Sequence, residues 1–140
     1  MYYLTKRDYD YAIRICAYLA GSCGKSHFSI QQLSSKLLIT KPFATKIVYQ
    51  LKKNNILKTI RGKNGGVLLA IKPEELSLFQ ICEAMGLAMS VSDCINVDGF
   101  CPLPAPCNLH SFFIEQENQI IEKLKIKTIN EFAFTDADLK

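Results

Sequence analysis

The sequence predicts a mainly α fold with a small β-hairpin wing: a winged helix-turn-helix followed by a long C-terminal helix. Three observations carry this: amphipathic helical stretches in the first third of the chain, two short apolar runs flanking a glycine-rich tip, and a broad apolar face from His110 to about Lys127. With 140 residues and 49% hydrophobic content, the chain can bury one core, so a single compact unit with a projecting appendage is expected.

Between Tyr9 and Ala20, apolar Tyr9, Ala12, Ile13, Cys16, Leu19 and Ala20 recur every three or four residues, the pattern of an amphipathic helix that Gly21 and Gly24 end. A second, short helix starts at Ser29, with Gln32 completing a capping box and Ile30, Leu33 and Leu37 facing inward. Thr40 is placed to cap a third helix, whose first turn tolerates Pro42 because no intrahelical bond uses the missing N–H. Ala44, Ile47, Val48 and Leu51 form its buried stripe. Residues 56–60 and 67–71 read as strands joined through Arg61-Gly62-Lys63-Asn64-Gly65-Gly66. Pro73-Glu74-Glu75 opens a fourth helix to about Ala84, with Asn108 as a possible cap for the last one. No pattern is readable from Thr128 onward.

Charge divides the chain sharply. Through Lys72 there are 13 basic against 2 acidic residues; from Pro73 onward there are 4 against 11. A basic half on a winged-helix framework points to a polyanion, namely double-stranded DNA. The buried stripe of the third helix forces Thr45, Lys46, Tyr49 and Lys53 outward, with Lys41 at its start, where a major groove would meet them. Arg61 and Lys63 on the hairpin tip can reach phosphates or the adjacent minor groove. The competing reading of each surface is an ordinary solvated face.

Cys94, Cys101, Cys107 and His110 are spaced C-x6-C-x5-C-x2-H in a stretch of poor periodicity that also holds Pro102, Pro104 and Pro106. Thiolates and imidazole suit zinc, iron or an iron–sulfur cluster. Without paired C-x2-C knuckles a structural zinc ribbon is disfavoured, and a looser loop suits a larger cluster. His110 can equally be a capping or surface residue. Cys16 and Cys82 fall on apolar helix faces as packing groups, while Cys23 and His27 read as turn and loop residues. The first residues lack the apolar stretch of a secretory signal and no segment approaches the ~18 apolar residues of a membrane span, so a cytoplasmic protein with no membrane partner is expected. An enzyme using Cys107 and His110 would need an oxyanion device and a pocket, neither of which can be read.

The layout resembles the Rrf-two family of bacterial winged-helix repressors. The residues that carry the resemblance are Asp10-Tyr11-Ala12-Ile13-Arg14 and Tyr18-Leu19-Ala20, the hairpin tip from Arg61 to Gly66, Glu83-Ala84-Met85-Gly86 and the cysteine loop. The first cysteine gap is one residue longer than the family's usual x5. The resemblance implies a homodimer held by crossed C-terminal helices on a near-palindromic operator. It also implies an iron–sulfur cluster, either a [2Fe-2S] site completed by His110 or a [4Fe-4S] site completed by Asp10 from the partner's first helix. On this reading 1–86 is the DNA-binding domain, 87–110 the cluster-binding loop, and 111–140 the dimerisation helix and tail. The expected function is a transcriptional repressor whose operator affinity follows a cluster sensing iron, redox or nitric oxide status. The alternative is a winged-helix regulator using the same cysteines as a thiol switch or zinc site.

Overall fold

The computed structural model describes residues 7–22, 26–88, 90–96, 101–102 and 107–139. Three helices come first: α1 (Arg7–Gly21), α2 (Ile30–Leu37) and α3 (Lys41–Lys53). An antiparallel hairpin of β1 (Leu57–Ile60) and β2 (Gly66–Leu69) follows, in register from Leu57 opposite Leu69 to Ile60 opposite Gly66. Then come α4 (Leu78–Ala84), the single turn α5 (Asp93–Asn96) and α6 (Asn108–Ile126). Two 3-10 turns, Ile129–Phe132 and Asp136–Leu139, close the described chain.

The amphipathic reading of α1 to α3 holds, because their inward faces are one core. Tyr9, Ala12, Cys16 and Leu19 of α1 are buried with Leu33 and Leu37 of α2 and the Ala44, Ile47, Val48 and Leu51 stripe of α3. α2 begins as expected: the Ser29 side chain accepts from the Gln32 N–H, and the Gln32 side chain accepts from the Ser29 N–H. Thr40 occupies the N-cap position of α3 but makes no side-chain cap bond. At the wing tip, Gly62 adopts φ +115°, a conformation that excludes most side chains, and its carbonyl accepts from the Gly65 N–H at 3.1 Å.

Two helix starts differ from expectation. Residues 73–75 form a turn, and α4 begins later, where Ser77 and Gln80 make a reciprocal capping box. The delay has a long-range cause: Leu78 N–H donates to the Lys127 carbonyl and Ile129 N–H to the Leu76 carbonyl, holding Leu76 and Ser77 against the chain beyond α6. The second difference is at α6, where Cys107, not Asn108, is the N-cap residue; Asn108 is the first helical one.

The chain after Thr128 is ordered against the N-terminal helices. Ile129 is fully buried, and Phe134 N–H donates to the Ala17 carbonyl. Gly21 is required by this path, since a Cβ there would lie 1.8 Å from the Phe134 carbonyl oxygen. Asp136 then accepts from the Tyr18 hydroxyl at 2.7 Å and from Lys36 Nζ at 2.8 Å, pinning the tail to α1 and α2. Cys23, Gly24, Pro104 and Pro106 lie outside the described residues.

Candidate nucleic-acid interface and cysteine loop

On α3 the buried stripe turns Lys41, Thr45, Lys46, Tyr49 and Lys53 to the exposed side. Their surroundings are more specific than helical spacing reveals. Thr45 donates its hydroxyl proton to the Lys41 carbonyl at 2.8 Å, leaving oxygen lone pairs and a methyl group for an outside partner. Lys46 Nζ lies 3.2 Å from Asp8 Oδ2 and 5.7 Å from the centre of the Phe43 ring. Phe43, absent from the sequence reading, meets Tyr11 edge-on at 5.6 Å, and the Arg14 guanidinium lies 5.1 Å over Tyr11. Arg14 also donates to the Leu37 carbonyl at 3.0 Å, so α1 braces both helices of the turn.

The wing is stiffer than a two-stranded hairpin alone. Phe28 exchanges both backbone bonds with Val67, adding one rung from the segment before α2. Beside it the His27 ring bonds the Asn64 carbonyl at the tip, so this loop residue has a definite partner. Arg61 and Lys63 are exposed on that braced tip, with Lys58 exposed on β1. Their charges can therefore approach a phosphate backbone without a floppy loop having to order first.

In the cysteine region, α5 packs on the start of α6 and brings two of the expected ligands together: Cys94 Sγ is 3.7 Å from His110 Nδ1. Zinc–sulfur and zinc–nitrogen bonds at a tetrahedral angle place sulfur and nitrogen about 3.6 Å apart, so this spacing is one that two ligands of a single metal adopt. Cys107 precedes α6 by one residue and is half-buried; Cys101 is exposed. Among the described residues no three of the His, Cys, Asp and Glu side chains converge on one point. Asp10 is exposed on the first turn of α1. The donors are soft thiols and an imidazole, a chemistry that fits iron–sulfur or zinc binding. Cys16 and Cys82 are packing groups. Burial, reinforced by Cys82, pushes the Cys16 thiol far up; burial, reinforced by Asp10, pushes Cys82 up to about 11.

Comparison with known proteins decides the family. The Rrf2 family model, described as an iron-dependent transcriptional regulator, matches residues 5–134. The chain belongs to the Rrf2 family. The HTH-type transcriptional regulator NsrR of Shouchella clausii is 26% identical over 132 residues, covering 94% of this chain and 89% of that protein. Among solved structures, CymR, the global cysteine regulator of B. subtilis, superposes with a TM-score of 0.80 at 19% identity, covering 95% of this chain and 97% of that one. T. potens IscR superposes at 0.73 with 17% identity, covering 99% and 89%. At these identities the two structures establish the shared fold.

In this Rrf2 regulator the winged helix is a DNA-binding head and the protein acts in transcription. α6 offers a different surface. Of its 19 residues only Leu124 is buried, while Leu109, Phe112, Ile114 and Ile126 are all exposed. No helix among the described residues is long and apolar enough to cross a membrane. Asp8 and Phe43 went unread because neither has a sequence signal of its own: each matters through a partner on another helix.

Proposed function

We propose that this Rrf2 regulator is a homodimeric repressor whose operator affinity depends on an iron–sulfur cluster held by Cys94, Cys101, Cys107 and His110. The observation that carries the reading is the 3.7 Å approach of Cys94 Sγ to His110 Nδ1 where α5 meets α6. When bound, such a cluster supplies an iron centre that reacts with oxygen and nitric oxide and is lost when iron is scarce. A histidine ligand favours the [2Fe-2S] form; an Asp10 carboxylate from the second chain is the competing fourth ligand for a [4Fe-4S] form.

The chain's own residues supply the link to DNA. Cys94 on α5 and His110 on α6 tie the two helices together when both are ligands. The exposed apolar side chains of α6 supply the dimer contact, in keeping with the aversion of apolar surface to water. Whatever fixes the start of α6 therefore biases the spacing of two reading heads, a population shift between competent and incompetent arrangements. In each head Lys41, Thr45, Lys46, Tyr49 and Lys53 face the major groove, while Arg61 and Lys63 hold phosphates or the minor groove beside it.

The test is anaerobic binding to a duplex selected by the protein from a randomised library, comparing cluster-loaded and cluster-free forms. The expected result is a difference of at least about tenfold, the range of ordinary allosteric coupling. Equal affinities would contradict the proposal. A second reading is supported by the exposed free thiol of Cys101: the cysteines form a thiol switch or zinc site. It predicts colourless, iron-free protein whose DNA affinity follows thiol oxidation or zinc content.

A further inference from the structure

The basic half of the chain has two carboxylates among its first 72 residues, Asp8 and Asp10. One of them is aimed at the middle of the reading helix. Asp8 Oδ2 stands 3.2 Å from Lys46 Nζ, and the pair is lopsided: the Lys46 side chain is 62% exposed, the Asp8 side chain 22%. The carboxylate is thus the fixed member, set into the first turn of α1, and the amine leans onto it from the outer face of α3. The Phe43 ring, itself held edge-on by Tyr11, flanks the same amine. Asp8 from α1 and Phe43 from α3 thus flank the amine, and Tyr11 backs the Phe43 ring.

We infer that Asp8 is a specificity-determining residue that turns Lys46 from a phosphate-following cation into a positioned reader of base edges. This rests on the reading of α3 as the major-groove helix. A free lysine is a mobile point charge whose contacts with phosphate carry no sequence information. Beside a carboxylate its charge is locally neutralised, its direction is fixed, and its remaining N–H donors suit guanine O6 and N7. The carboxylate also acts against the wrong partner, because a phosphate drawn to Lys46 must approach Asp8 as a like charge. The pair therefore lowers affinity for DNA at large while preserving it for sites with acceptors at the matching position.

The experiment compares the parent with Asp8→Asn, Asp8→Glu, Lys46→Gln and the Asp8→Asn/Lys46→Gln double variant, each shown to be folded by circular dichroism. Affinities for a random-sequence duplex and for the library-selected duplex are measured between about 50 and 200 mM salt. Asp8→Asn should bind the random duplex about 3- to 10-fold tighter, with a salt slope steeper by about 0.9, the signature of one added phosphate contact. Its selected-to-random affinity ratio should fall at least about tenfold, the worth of one positioned base contact. Asp8→Glu should keep the parent's slope, and Asp8→Asn should have no such effect once Lys46 is Gln. The inference is overturned if Asp8→Asn changes both duplexes by the same factor, or acts equally with Lys46 absent, as general charge removal would. Loss of specific binding in Lys46→Gln with a silent Asp8→Asn would remove this inference alone. A silent Lys46→Gln would remove the groove assignment of α3 as well.

Discussion

Cys82 should be chemically inert for as long as the chain is folded. It is fully buried on α4, and burial with Asp10 nearby pushes its thiol up to about 11. The reactive species is the thiolate. At pH 8 a thiol at the ordinary 9.0 is about one tenth ionised, whereas one at about 11 is ionised about one part in a thousand. Alkylation by iodoacetamide at pH 8 should therefore be about 100-fold slower in the native chain than in the same chain unfolded in urea, before hindered access slows it further. Cys16, pushed higher still, should be slower again, while exposed Cys101 is labelled early in apo protein. A quenched time course read by peptide mass spectrometry gives each rate separately. Native Cys82 labelling within about tenfold of the unfolded rate would refute the assignment of Cys16 and Cys82 to packing and of sensing chemistry to the loop.

The terminal segment makes its own predictions. Ile129→Ala removes a fully buried side chain and should cost about 3 kcal/mol in urea unfolding, lowering Tm by roughly 10 °C; a cost below about 1 kcal/mol would mean the tail is not part of the core. Lys36 first, then Tyr18, hold the Asp136 carboxyl below the usual carboxylate range. Because the folded state has the lower value, this contribution is present above the unfolded pKa and is lost as pH falls through the folded one. Asp136→Asn should accordingly flatten stability against pH between about pH 5 and pH 2, and an unchanged acid limb would contradict the bond pattern. On α6, Ile114→Asp places a charge among the exposed apolar side chains; with the proposed dimer contact there, the parent should sediment as a dimer and the variant as a single chain. Equal sedimentation of the two would contradict a dimer contact on α6.

Local physics made much of this molecule legible. The α3 stripe, the Ser29–Gln32 capping box and the glycine-tipped wing each depend on residues within a few positions of one another. What escaped was set by distant partners. α4 starts at Leu78 because residues 76–78 are bridged to 127–129, and nothing near Pro73 announces that. Ile129 and Phe134 carry no period of their own; Ile129 is buried in the core, and Phe134 is half-buried where its backbone passes over Gly21 of α1. Asp8 and Lys46 are 38 residues apart, so their pairing exists only once α1 crosses α3. In the cysteine loop, residue type and spacing sufficed to name Cys94 and His110 as possible ligands, and the packing of α5 on α6 brings those two together.

The central claim, an iron–sulfur cluster on the three loop cysteines and His110, is tested most directly by iron and acid-labile sulfide analysis with visible absorption of protein purified without oxygen. Brown protein carrying both elements in equal amounts is expected, with the signal lost in Cys107→Ser and shifted in His110→Ala. Colourless protein free of iron and sulfide, even after reconstitution with ferrous iron and sulfide under reducing conditions, would contradict it.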